Sequence, residues 1–287
     1  MPSTSAEMAM SLVDTDRYPI HDLDSPAGRA LVERCQRDLR ERALCALPGY
    51  LRPEGLRKLV DEANGLMPNA VFTDNMRKVN FQVETDEVLP ADHPRNVTYA
   101  NRYARLVNYL FPNQGYSRAL FLWSRQIDFV RQVYGAETMF PTQCPHLGLT
   151  MKVEGEGDTD GWHYDGNDGV ITLLLQKPDE GGYFEYAPYI RTLEDERFDE
   201  VAKVLRDPVT YAQRPEAEPG TFVFFNGNLS LHRVAPVGRT TKPRMVLIFS
   251  YDRTPNYVFG DRVAERFAAM PKVKDVAALR TRYLSQA

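Results

Sequence analysis

From about Gly148 onward the chain becomes a succession of short apolar runs: Leu149–Val153, Val170–Gln176, Tyr183–Tyr186, Thr221–Phe225 and Met245–Tyr251. Gly, Asp, Asn and Pro separate them. Runs this short, punctuated by turn residues, cannot assemble a helical bundle. They bury their apolar side chains only by pairing into a sandwich or barrel. One amphipathic stretch interrupts the series, with Phe198, Val201, Val204 and Leu205 at helical spacing and Thr192 as its expected cap. The charge run Glu194-Asp195-Glu196-Arg197 before the stripe reads as a solvated face.

The first half reads differently. Leu31, Val32, Cys35 and Leu39 mark a helix over residues 27–42, and the apolar run Ala43–Leu47 ends at Pro48-Gly49. Pro53 opens a second helix with Leu56, Leu59, Val60 and Ala63 on one face, closed by Asn64-Gly65. The spacing predicts a strand over Phe81–Thr85, and helices over Tyr99–Phe111, over Ser117–Tyr134 and from Pro255 to about Tyr283. Residues 1–20 read as a loose tail, and residues 21–287 as one domain whose helical half surrounds the β core of about 148–252. C-terminal helices are expected at about 256–285.

Composition narrows the function classes. The chain has 287 residues, 43% of them hydrophobic and 26% charged, which is ordinary globular usage. The net charge of −4 lacks the basic surplus of a nucleic-acid binder. Nothing approaches a membrane span in length, and the N-terminus lacks the cationic start of a signal peptide. Cys35, Cys45 and Cys144 have no paired spacing and read as reduced thiols in a cytoplasmic protein. Oligomeric state is open, a homodimer included.

Two of the five histidines have unusual settings. His163 starts His163-Tyr164-Asp165 just before the Val170–Gln176 run, and His232 follows the Thr221–Phe225 run and Asn226-Gly227-Asn228. On a strand, residues two apart share a face, so His163 and Asp165 can present an imidazole and a carboxylate together. A second imidazole from His232 makes a two-histidine, one-carboxylate set, which holds a divalent iron on one side and leaves the opposite positions open for a chelating cosubstrate and oxygen. Arg244, twelve residues after His232, can grip a carboxylate through two parallel hydrogen bonds. A dicarboxylate chelated at one end would put its far carboxylate about 5–6 Å deeper. One His-X-Asp/Glu is weak, since about 0.7 would arise by chance from this composition. The conjunction with a second histidine and an arginine carries the reading.

Three runs, Trp162-His163-Tyr164-Asp165-Gly166-Asn167-Asp168, Ile171–Gln176 and Glu180-Gly181-Gly182-Tyr183-Phe184, together with Pro219-Gly220 to Phe225, Ser230–Val234 and Arg244, resemble the core of the Fe(II)/2-oxoglutarate-dependent oxygenases. The resemblance implies an α+β fold with a double-stranded β-helix (jelly-roll, cupin-like) core. It implies iron on His163, Asp165 and His232, and 2-oxoglutarate as cosubstrate with its remote carboxylate on Arg244. The wording is closest to a bacterial branch that modifies free amino acids or similar metabolites. That branch includes halogenases with a small residue in place of the carboxylate. Asp165 occupies that position here, which implies hydroxylation, desaturation or ring closure. The serine that commonly stands two residues after the arginine is replaced by Val246, so a different residue must share the remote carboxylate. Thr172 is the expected substitute.

Candidate substrate residues are His146, Trp162, Asn167, Asp168, Arg191 and Asn228. Each has a plainer role: His146 in a loop, Trp162 in packing, Asn167-Asp168 in a turn, Arg191 paired with the acidic insert, Asn228 in a hairpin. Two other functional classes remain: a cupin-like isomerase or hydrolase using a metal without 2-oxoglutarate, and a metal-free β-barrel binding protein.

Overall fold

The computed structural model describes residues 4–80, 85–166, 169–259 and Tyr283. The first half supplies α1 (Ser5–Leu12), α2 (Pro26–Arg42), β1 (Leu44–Leu47), α3 (Pro53–Leu66), β2 (Val71–Lys78), β3 (Thr98–Leu106), α4 (Tyr116–Phe121) and α5 (Ser124–Val133). The second half supplies β4 (Phe140–Pro141), β5 (Leu149–Glu154), β6 (Thr159–His163), β7 (Val170–Gln176), β8 (Phe184–Ala187), α6 (Phe198–Arg206), α7 (Pro208–Tyr211), β9 (Phe222–Phe225), β10 (Leu231–Val234) and β11 (Arg244–Asp252). The α2 helix starts where the Ser25 hydroxyl accepts from the Gly28 amide, with Pro26 in its first turn, and stops at Ala43 in the left-handed conformation.

The strands form one curled antiparallel sheet in the order β1-β9-β7-β11-β5-β3-β6-β10-β8, with β2 on β3 and β4 on β11. This is the jelly-roll core expected from the sequence. Strand alternation divides it into two chemical faces. Met245, Leu247, Phe249 and Tyr251 of β11 join Met151 and Val153 of β5 and Ile171, Leu173 and Leu175 of β7 in the main core, against the helices. Phe121 stacks on Phe249, and Phe129 meets Phe224 edge-on. The Tyr251 hydroxyl donates to the Phe121 carbonyl and accepts from Gln126, tying β11 to α4 and α5. The other face carries Arg244 opposite Glu154, Val246 opposite Lys152 and Ile248 opposite Thr150 and Thr172. Arg105 faces Lys152, and Asn101 faces Asp160. The sheet therefore turns apolar residues outward to the helices and charged residues inward.

The first half is less helical than its spacing suggests. Thr98–Leu106 is a strand, not part of a helix over 99–111. It pairs with β2 from Thr98 to Arg105, and also with β5 and β6. Its tyrosines and alternation suit a pleated surface once partners exist. The stretch 117–134 is two helices, broken where Trp123 is extended and Gln126 takes the Leu120 carbonyl. Thr192 does not cap α6. Its hydroxyl accepts from the amides of Glu194 and Asp195, and α6 begins after Arg197 in the left-handed conformation. The segment read as a loose tail contains α1, and Ala9, Leu12, Val13, Tyr18 and Ile20 are buried. The expected strand at 81–85 and the helices after Pro255 fall largely outside the described residues, although Tyr283 is helical, buried, and edge-on to Phe72. Among the described residues, no helix is long and apolar enough to cross a membrane.

Candidate metal centre

Strand pairing sets the two imidazoles side by side. His163, at the end of β6, stands directly opposite His232 on β10. The ring centroids are 4.1 Å apart and the planes 50° apart. Each Nδ1 lies on a backbone carbonyl, Gly161 at 2.7 Å for His163 and Ser230 at 2.9 Å for His232. A carbonyl only accepts, so Nδ1 carries the proton and Nε2 keeps its lone pair for a metal. Asp165 completes the set with Oδ1 3.5 Å from His232 Nε2 and 4.0 Å from His163 Nε2. The ligand atoms all lie within 4.8 Å of one another. Burial, followed by the nearby Arg77 and His232, holds His163 well below the usual histidine range, which keeps it neutral as a ligand must be. Two neutral imidazoles and a carboxylate fit a divalent iron.

Asp165 owes its place to tertiary contacts rather than to strand alternation, because β6 ends at His163. The Asp165 amide donates to the Gly227 carbonyl at 3.0 Å. A Cβ on Gly227 would fall 2.0 Å from Asp165 Oδ2, so only glycine lets the 226–228 turn press against the carboxylate.

A charged layer adjoins the histidines on the inner face. Asp160 accepts from Arg77 Nη1 at 2.7 Å and from the Lys152 ammonium, and lies 3.8 Å from His163 Nε2. Burial alone would raise its carboxyl. The Lys152 and Arg77 cations outweigh that and hold it well below the usual range. Tyr103 accepts from Arg105 at 2.6 Å and lies under the Lys152 ammonium. Its phenol is likewise lowered, because those two cations outweigh burial. Arg244 Nη1 donates to Glu154 Oε2 at 2.6 Å. The pairings of Arg77 with Asp160 and of Arg244 with Glu154 escaped the sequence reading because they join residues 83 and 90 positions apart. Only Asp160, three residues before His163, left a local trace.

The remaining expected residues divide. Arg244 is on the inner face, and so is Thr172, but Thr172 stands opposite Ile248, about 13 Å along the strand from Arg244. Glu154, not Thr172, is the polar group at the guanidinium. Trp162 is buried on the opposite face from His163, among Val79, Tyr164, Val201 and Leu231, with Arg233 over its ring. It packs the second core rather than the site. His146 lies in the turn before β5, edge-on to Tyr109. Arg191 is paired with the acidic insert: Nη1 donates to both Glu196 oxygens at 3.0 Å, Nε to the Asn228 carbonyl at 2.9 Å and Nη2 to the Asn228 side chain at 3.0 Å. Its guanidinium covers the Tyr164 ring at 3.7 Å. Arg191 and Asn228 thus hold each other, beside Tyr164, which stands between the candidate ligands His163 and Asp165. Asn167 and Asp168 lie outside the described residues.

Comparison with known proteins bears on the family and the fold. A family model described as HalD, Halogenase D, matches residues 28–259. No curated protein matches the chain. Among solved structures, the non-heme alpha ketoglutarate dependent epimerase SnoN from nogalamycin biosynthesis, solved with Fe3+ and alpha ketoglutarate, is 14% identical, with a TM-score of 0.52 over 78% of this chain and 84% of that one. The carbocyclase SnoK from the same biosynthesis is 14% identical, with a TM-score of 0.51 over 76% and 83%. A 2OG-Fe(II) oxygenase family oxidoreductase from Burkholderia pseudomallei is also similar, at 14% identity and a TM-score of 0.49 over 78% and 91%. At these identities the likeness to SnoN and SnoK establishes the fold.

Proposed function

The chain belongs to the Halogenase D family and carries the jelly-roll fold of the 2-oxoglutarate/Fe(II) oxygenases; on that premise we propose that it oxidises an unactivated C–H bond of a small, amino-acid-like molecule. The observation that carries this reading is the convergence of His163, His232 and Asp165, with Nε2 of both rings turned to one carboxylate oxygen. Iron bound there with 2-oxoglutarate supplies the oxidising power, consuming oxygen and releasing succinate and CO2. His163, His232 and Asp165 hold the metal. Arg244 anchors the remote carboxylate of 2-oxoglutarate. Arg191, stacked on Tyr164 and bonded to Asn228, steadies both ligand-bearing segments.

Asp165 favours hydroxylation, desaturation or ring closure over halogenation, because its carboxylate fills the coordination position a halide would need. The inner-face charges of Arg77, Lys152, Arg105 and Asp160 favour a small charged substrate over an apolar one. The three cysteines, buried and outside disulfides, suit the reducing cytoplasm.

The test incubates anaerobically iron-loaded protein with 2-oxoglutarate and a panel of free amino acids, admits oxygen, and follows succinate by mass spectrometry. One or more amino acids should raise succinate formation and appear as oxidised product. His163→Ala and Asp165→Ala should each abolish substrate-coupled turnover. Succinate formation that survives both substitutions would exclude this site as the iron centre.

A further inference from the structure

Glu154, the last residue of β5, is fully buried. Its Oε2 accepts from Arg244 Nη1 at 2.6 Å. Its Oε1 is buried and has no hydrogen-bond partner among the described residues. Leaving a buried carboxylate oxygen unmet is costly, so a fold that keeps one beside an arginine has a use for it. Both side chains stand on the inner face, joined to the metal centre through Lys152, which shares that face and bonds Asp160, 3.8 Å from His163 Nε2. Val246, the next inward position on β11, brings no polar atom, so Glu154 is the group able to act with Arg244.

Resting on the reading that Arg244 holds the remote carboxylate of 2-oxoglutarate, the difficulty is one of charge. The Arg244 cation is already matched by Glu154. The groups facing Glu154 from neighbouring elements are Arg244 on β11, Lys152 on its own strand, engaged by Asp160, and Tyr103 on β3, engaged by Arg105. An incoming carboxylate adds a second anion to one guanidinium. Two like charges held this close in a buried setting repel strongly. A proton relieves that repulsion, and on Oε1 it also turns the unmet acceptor into a donor while Oε2 still accepts from Arg244.

We propose that Glu154 takes up one proton when 2-oxoglutarate binds and, as a neutral acid, donates its O–H to the remote carboxylate beside Arg244. Glu154 thereby fills the place that Val246 leaves without a donor. Its consequence is a cosubstrate affinity set by pH. With one proton taken up from solvent, the dissociation constant rises about tenfold per pH unit while Glu154 is ionised in the free protein and protonated in the complex, and flattens on either side of that range.

The experiment is calorimetric titration of 2-oxoglutarate into the full chain loaded with Mn(II), without oxygen, at mildly acidic pH in buffers of different ionisation enthalpy, and then across the pH range. The wild type should take up about one proton per ligand and show the tenfold-per-unit pH dependence. 2-Oxobutanoate, which has the same chelating head but no remote carboxylate, should bind without proton uptake. Glu154→Gln keeps a donor at that position, so it should bind 2-oxoglutarate with no proton uptake and an affinity flat across pH. Wild-type binding with no proton uptake would overturn the role of Glu154 and leave the function intact. If the metal-loaded wild type fails to bind 2-oxoglutarate at all, both that function and this inference fall.

Discussion

At the scale of single residues, the site depends on one atom that is missing. Gly227 has no side chain, and its turn closes on Asp165 at a distance that admits none. Asn226-Gly227-Asn228 reads in the sequence as hairpin chemistry, and nothing local reveals that the glycine is the wall of a ligand. Gly227→Ala should force the Asp165 carboxylate aside and weaken Co(II) binding by about tenfold or more, the scale on which support for a ligand is felt. The check is a metal titration followed by the visible Co(II) absorption. Binding as tight as wild type would show that the carboxylate has room to spare. The histidines were more legible. His163 and His232 follow from their motif, but their tautomers follow from the carbonyls of Gly161 and Ser230, each two residues away, which only the folded strands bring onto Nδ1.

At the scale of elements, the site is a joint between strands and loops. Pairing of β6 with β10 sets His163 opposite His232, and a slip of one residue would turn one ring to the outer face. Arg191, leading into the α6 insert, clamps both ligand-bearing segments, Tyr164 through its ring and Asn228 through two hydrogen bonds. Arg191→Met keeps the bulk and loses every donor. It should loosen metal binding by about tenfold and broaden the Co(II) spectrum, with Arg191→Lys intermediate. A variant with unchanged metal affinity would reduce Arg191 to a surface tie. The insert's apolar stripe was legible because helical periodicity is local. Its start was not, since Thr192 has the chemistry of a cap and spends it on a turn. The misreading of Thr98–Leu106 has the same origin. Its strand character comes from β2, β5 and β6, which lie far away along the chain.

At the scale of the molecule, one sheet serves two environments. Phe249 is fully buried between Phe121 and Phe222 on the outer face, while its neighbour Ile248 faces inward with Thr172. Phe249→Ala should destabilise the protein by about 3–5 kcal/mol, read from the midpoint of urea unfolding. A loss below about 1 kcal/mol would mean that this core does not hold the barrel shut. The sequence by itself determined the five β runs that recur in the sheet, which rest on residue type and short-range spacing, while its resemblance to the oxygenases implied the jelly-roll class and the three candidate metal ligands. Tertiary structure alone decided that β2 and β3 extend the sheet, that Asp165 is held by Gly227, and that Arg244 faces Glu154. Those contacts join residues whose separation along the chain carries no periodic signal, and only strand register brings their charges to one face.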